Sequence, residues 1–147
     1  MPKCSDVMTP DPVASEPTES LRKVAKIMKQ HDVGSVPVVE SQASKRLVGI
    51  VTDRDLVVKA IAADRDVDQA TVRDAMTASP ASCRVEDDVE KALTLMSERQ
   101  VRRLPVVDGA GRLCGIIAQA DIATRVNRDK QTGQLVEAIS EPGTVRK

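Results

Sequence analysis

Phenylalanine, tryptophan and tyrosine are all absent from the 147 residues. Without aromatic rings there is no platform for stacking single-stranded bases and no cage for a quaternary cation. The core has to be built from Val, Ile, Leu, Met and Ala. An excess charge of either sign is missing too, since 22 Lys and Arg balance 22 Asp and Glu. That argues against the broad basic footprint of a nucleic-acid or membrane-surface protein, while leaving room for a small basic pocket. No apolar run approaches the roughly 18 residues of a membrane span. The start, Met1 to Asp6, carries no secretory hydrophobic region. These features point to a soluble, cytoplasmic protein with no membrane and no nucleic-acid partner.

Metal and thiol chemistry is equally sparse. Cys4, Cys83 and Cys114 are widely spaced with no Cys-x-x-Cys pair, so neither a zinc ribbon nor a disulfide framework is legible. Cys114, inside the apolar run Leu113 to Ile117, reads as a buried small hydrophobe rather than a nucleophile. The single histidine, His31, ends a helical pattern and reads as a solvated helix-end residue rather than a ligand. No metal site is expected.

What is present is an internal repeat. Asp6-Val7-Met8-Thr9 recurs as Asp74-Ala75-Met76-Thr77, and the same shift of 68 aligns Met28 with Met96 and Pro37-Val38-Val39 with Pro105-Val106-Val107. Over 6–40 against 74–108, ten of 35 positions are identical. After a two-residue deletion Gly49-Ile50 and Asp55 align with Gly115-Ile116 and Asp121. The chain is a tandem duplication.

Each copy carries the same order of signals. An extended segment (Pro10 to Glu19; Ser79 to Glu86) leads into a helix with an i, i+3, i+4, i+7 apolar face: Leu21, Val24, Ala25, Met28, then Val89, Ala92, Leu93, Met96. Asp87 and Glu90 have the spacing of a capping box, which the first helix lacks. A β run follows (Ser35 to Val39; Arg103 to Val107), then a turn (Ser41 to Ser44; Asp108-Gly109-Ala110-Gly111). A second strand (Leu47 to Val51; Leu113 to Ile117) is succeeded by a helix beginning near Asp53 or Gln119. The expected fold is α/β of the α+β kind: two β-α-β-β-α repeats of roughly 50–60 residues, each too small to be comfortable alone, packed about a pseudo-two-fold axis. The expected organisation is repeat 1 at 6–63, a linker at 64–73, repeat 2 at 74–126 and a tail at 127–147 containing an amphipathic candidate, Gln134 to Ile139.

These residues resemble the cystathionine β-synthase (CBS) domain family, present as a tandem pair of the small stand-alone type. The resemblance rests on the two Asp-x-Met-Thr starts, on Val33 to Val39 with its copy Val101 to Val107, and on Gly49-Ile50-Val51-Thr52-Asp53-Arg54-Asp55. It spans 6–126.

Gly-x-x-Thr-x-x-Asp also has a physical logic of its own. Thr52 can cap the following helix, whose free N–H groups form an anion site. Asp55 offers two acceptor oxygens suited to neighbouring ribose hydroxyls. Read from the motif alone, both are better taken as ordinary helix-start residues, since Ser/Thr followed by Asp is common there. The resemblance implies the ribose role for Asp55, with Thr52 near ribose and phosphate. It implies cationic partners from the opposite copy: Arg102 and Arg103 for the first site, and Arg54 for a second site built on Asp121. Adenine would lie against Val13 and Ile50 in the first site, with Ile116 as the counterpart of Ile50 in the second. Ala118 stands where Thr52 does, so the second site lacks a hydroxyl and is expected to be weaker, empty or fitted to another ligand.

The expected function is therefore regulatory: binding of an adenosine-containing ligand, AMP, ADP, ATP or NAD, read out through an effector protein or a homodimer. The resemblance implies the homodimer, with Leu56, Val57 and Ile61 as apolar residues that one core need not bury. An enzyme is disfavoured, because Asp53 and Asp55, two apart on a helix, do not face each other, and no His, Cys or Lys lies within the motif to act as base or nucleophile. No catalytic cofactor is expected. The remaining alternative is a structural or stress-linked interaction protein with vestigial sites, favoured by Ala118 and Gly34.

Overall fold

A computed structural model of the chain describes residues 2–132, so the candidate Gln134 to Ile139 lies outside the described residues. In chain order the elements are α1 (Cys4–Val7), β1 (Thr9–Pro10), α2 (Leu21–His31), β2 (Ser35–Val39), β3 (Leu47–Thr52), α3 (Asp53–Leu56) continued by a π-helical turn (Val57–Ile61), α4 (Val72–Ala75), β4 (Thr77–Ala78), β5 (Cys83–Arg84), α5 (Val89–Arg99), β6 (Arg103–Val107), β7 (Leu113–Ala118) and α6 (Gln119–Thr132). The fold is mixed α and β, and the sequence repeat returns element by element. α1, β1, α2 and β2 recur as α4, β4, α5 and β6 at the shift of 68, and β3 and α3 recur as β7 and α6 at 66. Ser15, bridged in parallel to Val38, is the counterpart of Cys83 on Val106.

The elements form two compact units, one of Val13–Pro80 with Ala110–Leu113, the other of Met1–Pro12, Ala81–Gly109 and the chain from Cys114 onward. In the first unit β3 lies between β2 and β4, antiparallel to both. Its core gathers Leu21, Val24, Val36, Val38, Val51, Ala60, Val72 and Ala75. In the second the order is β1-β7-β6-β5, around Cys4, Cys83, Val89, Ala92, Met96, Leu104, Val106, Ile117 and Ile122. The short strand after each Asp-x-Met-Thr start thus pairs with the other copy's second strand: Thr9 opposes Ile116, and Thr77 opposes Ile50. The extended stretch Pro10 to Glu19 is accordingly divided between the units.

Several local expectations are corrected. Ala25 is exposed and Ile27 packs on the core in its place, while Leu21, Val24 and Met28 are buried as expected. Capping is the reverse of the sequence signal. Ser20 caps α2, its hydroxyl accepting from Lys23 N at 3.1 Å, whereas α5 starts at Asp88 with no side-chain cap. The Asp87 carboxylate is taken instead by Arg84 N at 2.8 Å, closing the preceding turn. Cys114 is half-buried rather than buried, because alternation along β7 turns Leu113, Gly115 and Ile117 inward and Cys114 and Ile116 the other way. His31, by contrast, is exposed in the last turn of α2, as its helix-end reading expects. The polar stretch after Ala63 is docked: Ala70 and Val67 carbonyls accept from Leu21 N and Arg22 N at 3.1 and 3.0 Å, and Arg22 pairs with Asp68.

Candidate functional site

β3 delivers Thr52 to the head of α3. There Thr52 Oγ1 accepts from Asp55 N at 3.1 Å and Asp55 Oδ2 accepts from Thr52 N at 2.9 Å, a reciprocal capping box. The helix-start reading of these two residues is therefore a structural fact of the chain. It does not exhaust the carboxylate. Asp55 Oδ1 is 3.3 Å from Lys59 Nζ, one helical turn on, and its side chain is only 15% exposed. A carboxylate has about four acceptor sites, so these partners leave capacity for two neighbouring hydroxyls. Lys59, which the sequence reading passed over, also donates to the Ala75 carbonyl at 3.2 Å, fastening this helix to α4. Its i, i+4 spacing from Asp55 is the signal that would have found it.

Ile50 stands two residues before Thr52 and so on the same face of β3; it is half-buried, opposite Pro37 and Thr77. Val13, half-buried, belongs to the same unit, just ahead of Ser15, whose N–H donates to the Pro37 carbonyl at 3.0 Å. Arg54 is exposed at the second helical position, its N–H donating to Asp53 Oδ1 at 2.8 Å. The Gly34 carbonyl accepts from Asp53 N at 2.9 Å, and a Cβ on Gly34 would come within 3.0 Å of Asp53 Oδ2.

The second unit repeats the pattern with fewer polar groups. Asp121 Oδ2 accepts from Ala118 N at 3.3 Å, so the backbone half of the box survives while Ala118 removes the hydroxyl half. Arg102 occupies the place of Gly34: its carbonyl accepts from Gln119 N at 2.9 Å, which sets it beside the head of α6, and its side chain is exposed. Arg103, also exposed, opens β6. Ile116 is half-buried opposite Thr9. Thr52, Asp55, Ile50, Val13 and Arg54 thus lie in one unit, and Asp121, Arg102, Arg103 and Ile116 in the other.

The family model for the CBS domain matches residues 4–61 and 72–128, and the chain belongs to that family. It is similar to Hypoxic response protein 1 of Mycobacterium tuberculosis, 34% identical over 142 residues, covering 97% of this chain and 96% of that protein. The crystal structure of that protein, described as holding two coordinated zinc ions, superposes with a TM-score of 0.77 at 33% identity over 84% of this chain and 98% of that one. The chain is also similar to CBSX2, a CBS-pair protein of Arabidopsis thaliana, in complex with AMP: TM-score 0.75, 30% identity, 87% and 98% coverage. A third likeness is to the CBS domain pair of protein MJ0100 with 5-methylthioadenosine and S-adenosyl-L-methionine: TM-score 0.75, 27% identity, 88% and 98% coverage. Among the described residues of this chain, no three His, Cys, Asp or Glu side chains come together as a metal-holding group, and no helix is long and apolar enough to cross a membrane.

Proposed function

We propose that this chain is a regulatory module that binds an adenosine-containing ligand, with AMP the first candidate and ADP, ATP and NAD the others. The observation that carries the reading is the Thr52–Asp55 box, with its spare acceptor capacity, in a chain similar over most of its length to a protein crystallised with AMP. Asp55 takes the two ribose hydroxyls, Thr52 lies near ribose and phosphate, and Val13 and Ile50 flank the adenine. Arg102 and Arg103 supply the cationic fork that suits a phosphate. The second site uses Asp121, Arg54 and Ile116 and is the weaker one, because the hydroxyl lost at Ala118 removes a hydrogen bond worth about 0.5–1.5 kcal/mol. The module works without catalysis or a catalytic cofactor, in the cytoplasm, and passes the ligand state to an effector protein.

A second copy of the chain is part of the same proposal, as the family resemblance implies. Leu56 is not available for it, since it packs on the core. Val57, Val58 and Ile61, 54%, 49% and 65% exposed, form the apolar surface instead. The alternative, an interaction protein with vestigial sites, draws on the fact that Thr52 and Asp55 already have a structural task as a helix cap.

Calorimetric titration with AMP separates the two. Saturable binding to the wild type, weakened by about 1.5–3 kcal/mol in Asp55→Ala, supports the sensor. The same affinity in a folded Asp55→Ala variant overturns the site. Heat released by none of the adenosine compounds favours the interaction protein.

A further inference from the structure

Two thiols that are 79 positions apart in sequence meet inside the second unit. Cys4 and Cys83 are 0% and 2% exposed and belong to the same core cluster. Backbone bonds hold them side by side: Cys4 N donates to the Asp87 carbonyl at 2.8 Å and Ser5 N to the Val85 carbonyl at 3.1 Å, laying α1 along the segment that begins with β5. The two side chains are close enough to perturb each other's ionisation. Each has one further polar neighbour, Cys4 Sγ at 3.9 Å from the Asp88 carbonyl and Cys83 Sγ at 3.9 Å from that of Pro105. Cys114 is outside this cluster.

We infer that Cys4 and Cys83 are an oxidation site, a dithiol that a hydroperoxide converts into an intrachain disulfide fastening the leading segment of the chain to β5. Cys4 is the attacking thiol, because it lies on α1, the four-residue segment that opens, whereas Cys83 stays paired on β5. The Cys4 thiolate attacks one peroxide oxygen; the O–O bond breaks, hydroxide leaves, and Cys4 becomes a sulfenic acid. Cys83 sulfur then attacks Cys4 sulfur, the S–O bond breaks, and the oxygen departs as water with the Cys83 proton. In sum two thiols and one hydrogen peroxide give one disulfide and two waters, the leaving hydroxide taking the proton that the Cys4 thiol lost; an organic hydroperoxide gives one water and its alcohol instead. The peroxide reaches the pair through local opening, since α1 is four residues long and β1 only two, and segments so lightly tied open at low cost.

The bond has a consequence beyond the two sulfurs. Five and six residues after Cys4, the two residues of β1 pair with Ile116 and Gly115. Cross-linking the segment in its docked position suppresses the opening that would release β1 from β7.

The test uses the full chain carrying Cys114→Ser, treated with hydrogen peroxide or with a reductant. Trypsin places Cys4 and Cys83 on different peptides, with cleavage after Lys3, Arg22, Arg73 and Arg84. The expected result is loss of two hydrogens in intact mass, a Cys4–Cys83 peptide on the non-reducing map, and amide exchange over residues 4–10 slowed by roughly tenfold or more, all reversed by reductant. Adding Cys83→Ala abolishes the cross-link and leaves Cys4 as a sulfenic acid that a dimedone probe traps. Should that variant fail to fold, the peptide map of the Cys114→Ser protein still decides. Two free thiols after peroxide, separate overoxidation of each, or a cross-link only between chains overturns the inference.

Discussion

Met76 lies where a side chain on Gly49 would stand: a Cβ there would come within 2.7 Å of its sulfur and 3.0 Å of the Thr77 carbonyl oxygen. The relation is repeated in the other unit, where a Cβ on Gly115 would meet Met8 and, at 2.8 Å, the Thr9 carbonyl. The Met of each Asp-x-Met-Thr start and the Gly before each Ile of the second strand are therefore two halves of one contact. The missing side chain lets the short strand lie close on its neighbour. Gly49→Ala is expected to destabilise the protein by about 1–3 kcal/mol, measured by urea unfolding followed by circular dichroism. Adding Met76→Ala should recover only part of the loss, because the Thr77 carbonyl stays in the way. Full stability in Gly49→Ala would contradict the contact.

The caps give a paired comparison. Ser20→Ala removes a hydroxyl that satisfies Lys23 N and should cost about 1 kcal/mol. Asp88→Ala removes no cap, only an exposed, solvent-screened ion pair with Lys3, and should cost clearly less than the Ser20 change. Equal costs in thermal and urea melts would mean that Asp88 caps α5 in solution.

Acid should loosen the first unit through Glu19. Its Oε1 accepts from the buried Ser15 hydroxyl at 2.7 Å and from Glu16 N at 2.8 Å, while Oε2 pairs with Lys23. Burial alone would push this carboxyl up, yet Lys23, Ser15 and the Glu16 amide together hold it below the ordinary value. A carboxyl depressed in the folded state contributes stability in full above its unfolded pKa and loses it as pH falls through the folded one. Glu19→Gln should therefore lower stability at neutral pH and flatten its decline below about pH 4.3. Parallel pH profiles for variant and wild type would remove Glu19 from the account.

The dimer proposed above depends on an apolar patch that no residue of its own unit covers. Ile61→Glu should leave the far-UV circular dichroism unchanged, since Ile61 is 65% exposed, while converting a dimer to a monomer in sedimentation velocity and lowering the thermal melt to a concentration-independent value. A wild type that sediments as a monomer at all concentrations would dispose of the second copy.

The duplication is legible in the sequence because short identical blocks, Asp-x-Met-Thr and Pro-Val-Val, stand at one spacing. The hairpins are legible because turn residues separate apolar runs. The partner of β1 is not: Thr9-Pro10 is too short to show a period, and what selects β7 is the fit of Met8 over Gly115. The same blindness hides the Cys4–Cys83 pair, since spacing rules register only thiols close in sequence. Asp87 and Glu90 mislead because a turn amide, Arg84 N, competes for the carboxylate that the spacing assigns to a helix cap. At the candidate site the Thr52–Asp55 relation can be read as a helix start from the letters. The residual acceptor capacity of Asp55 and its tie to Lys59 need coordinates.

Thr9 finds Ile116, and Pro10 finds Gly115, across 107 and 105 positions of chain. A chain made from its N-terminus therefore produces first the strand that is paired last. Residues 13–80 hold nearly all of one unit and can begin to condense while later residues are still being added, but β1 stays without its partner until β7 has been made. Such distant pairings are slow to close, and unpaired edges are hazardous while they wait. At this end of the molecule the order of manufacture and the order of assembly run in opposite directions, so a pause in translation between β3 and β7 would expose the head of the chain longest.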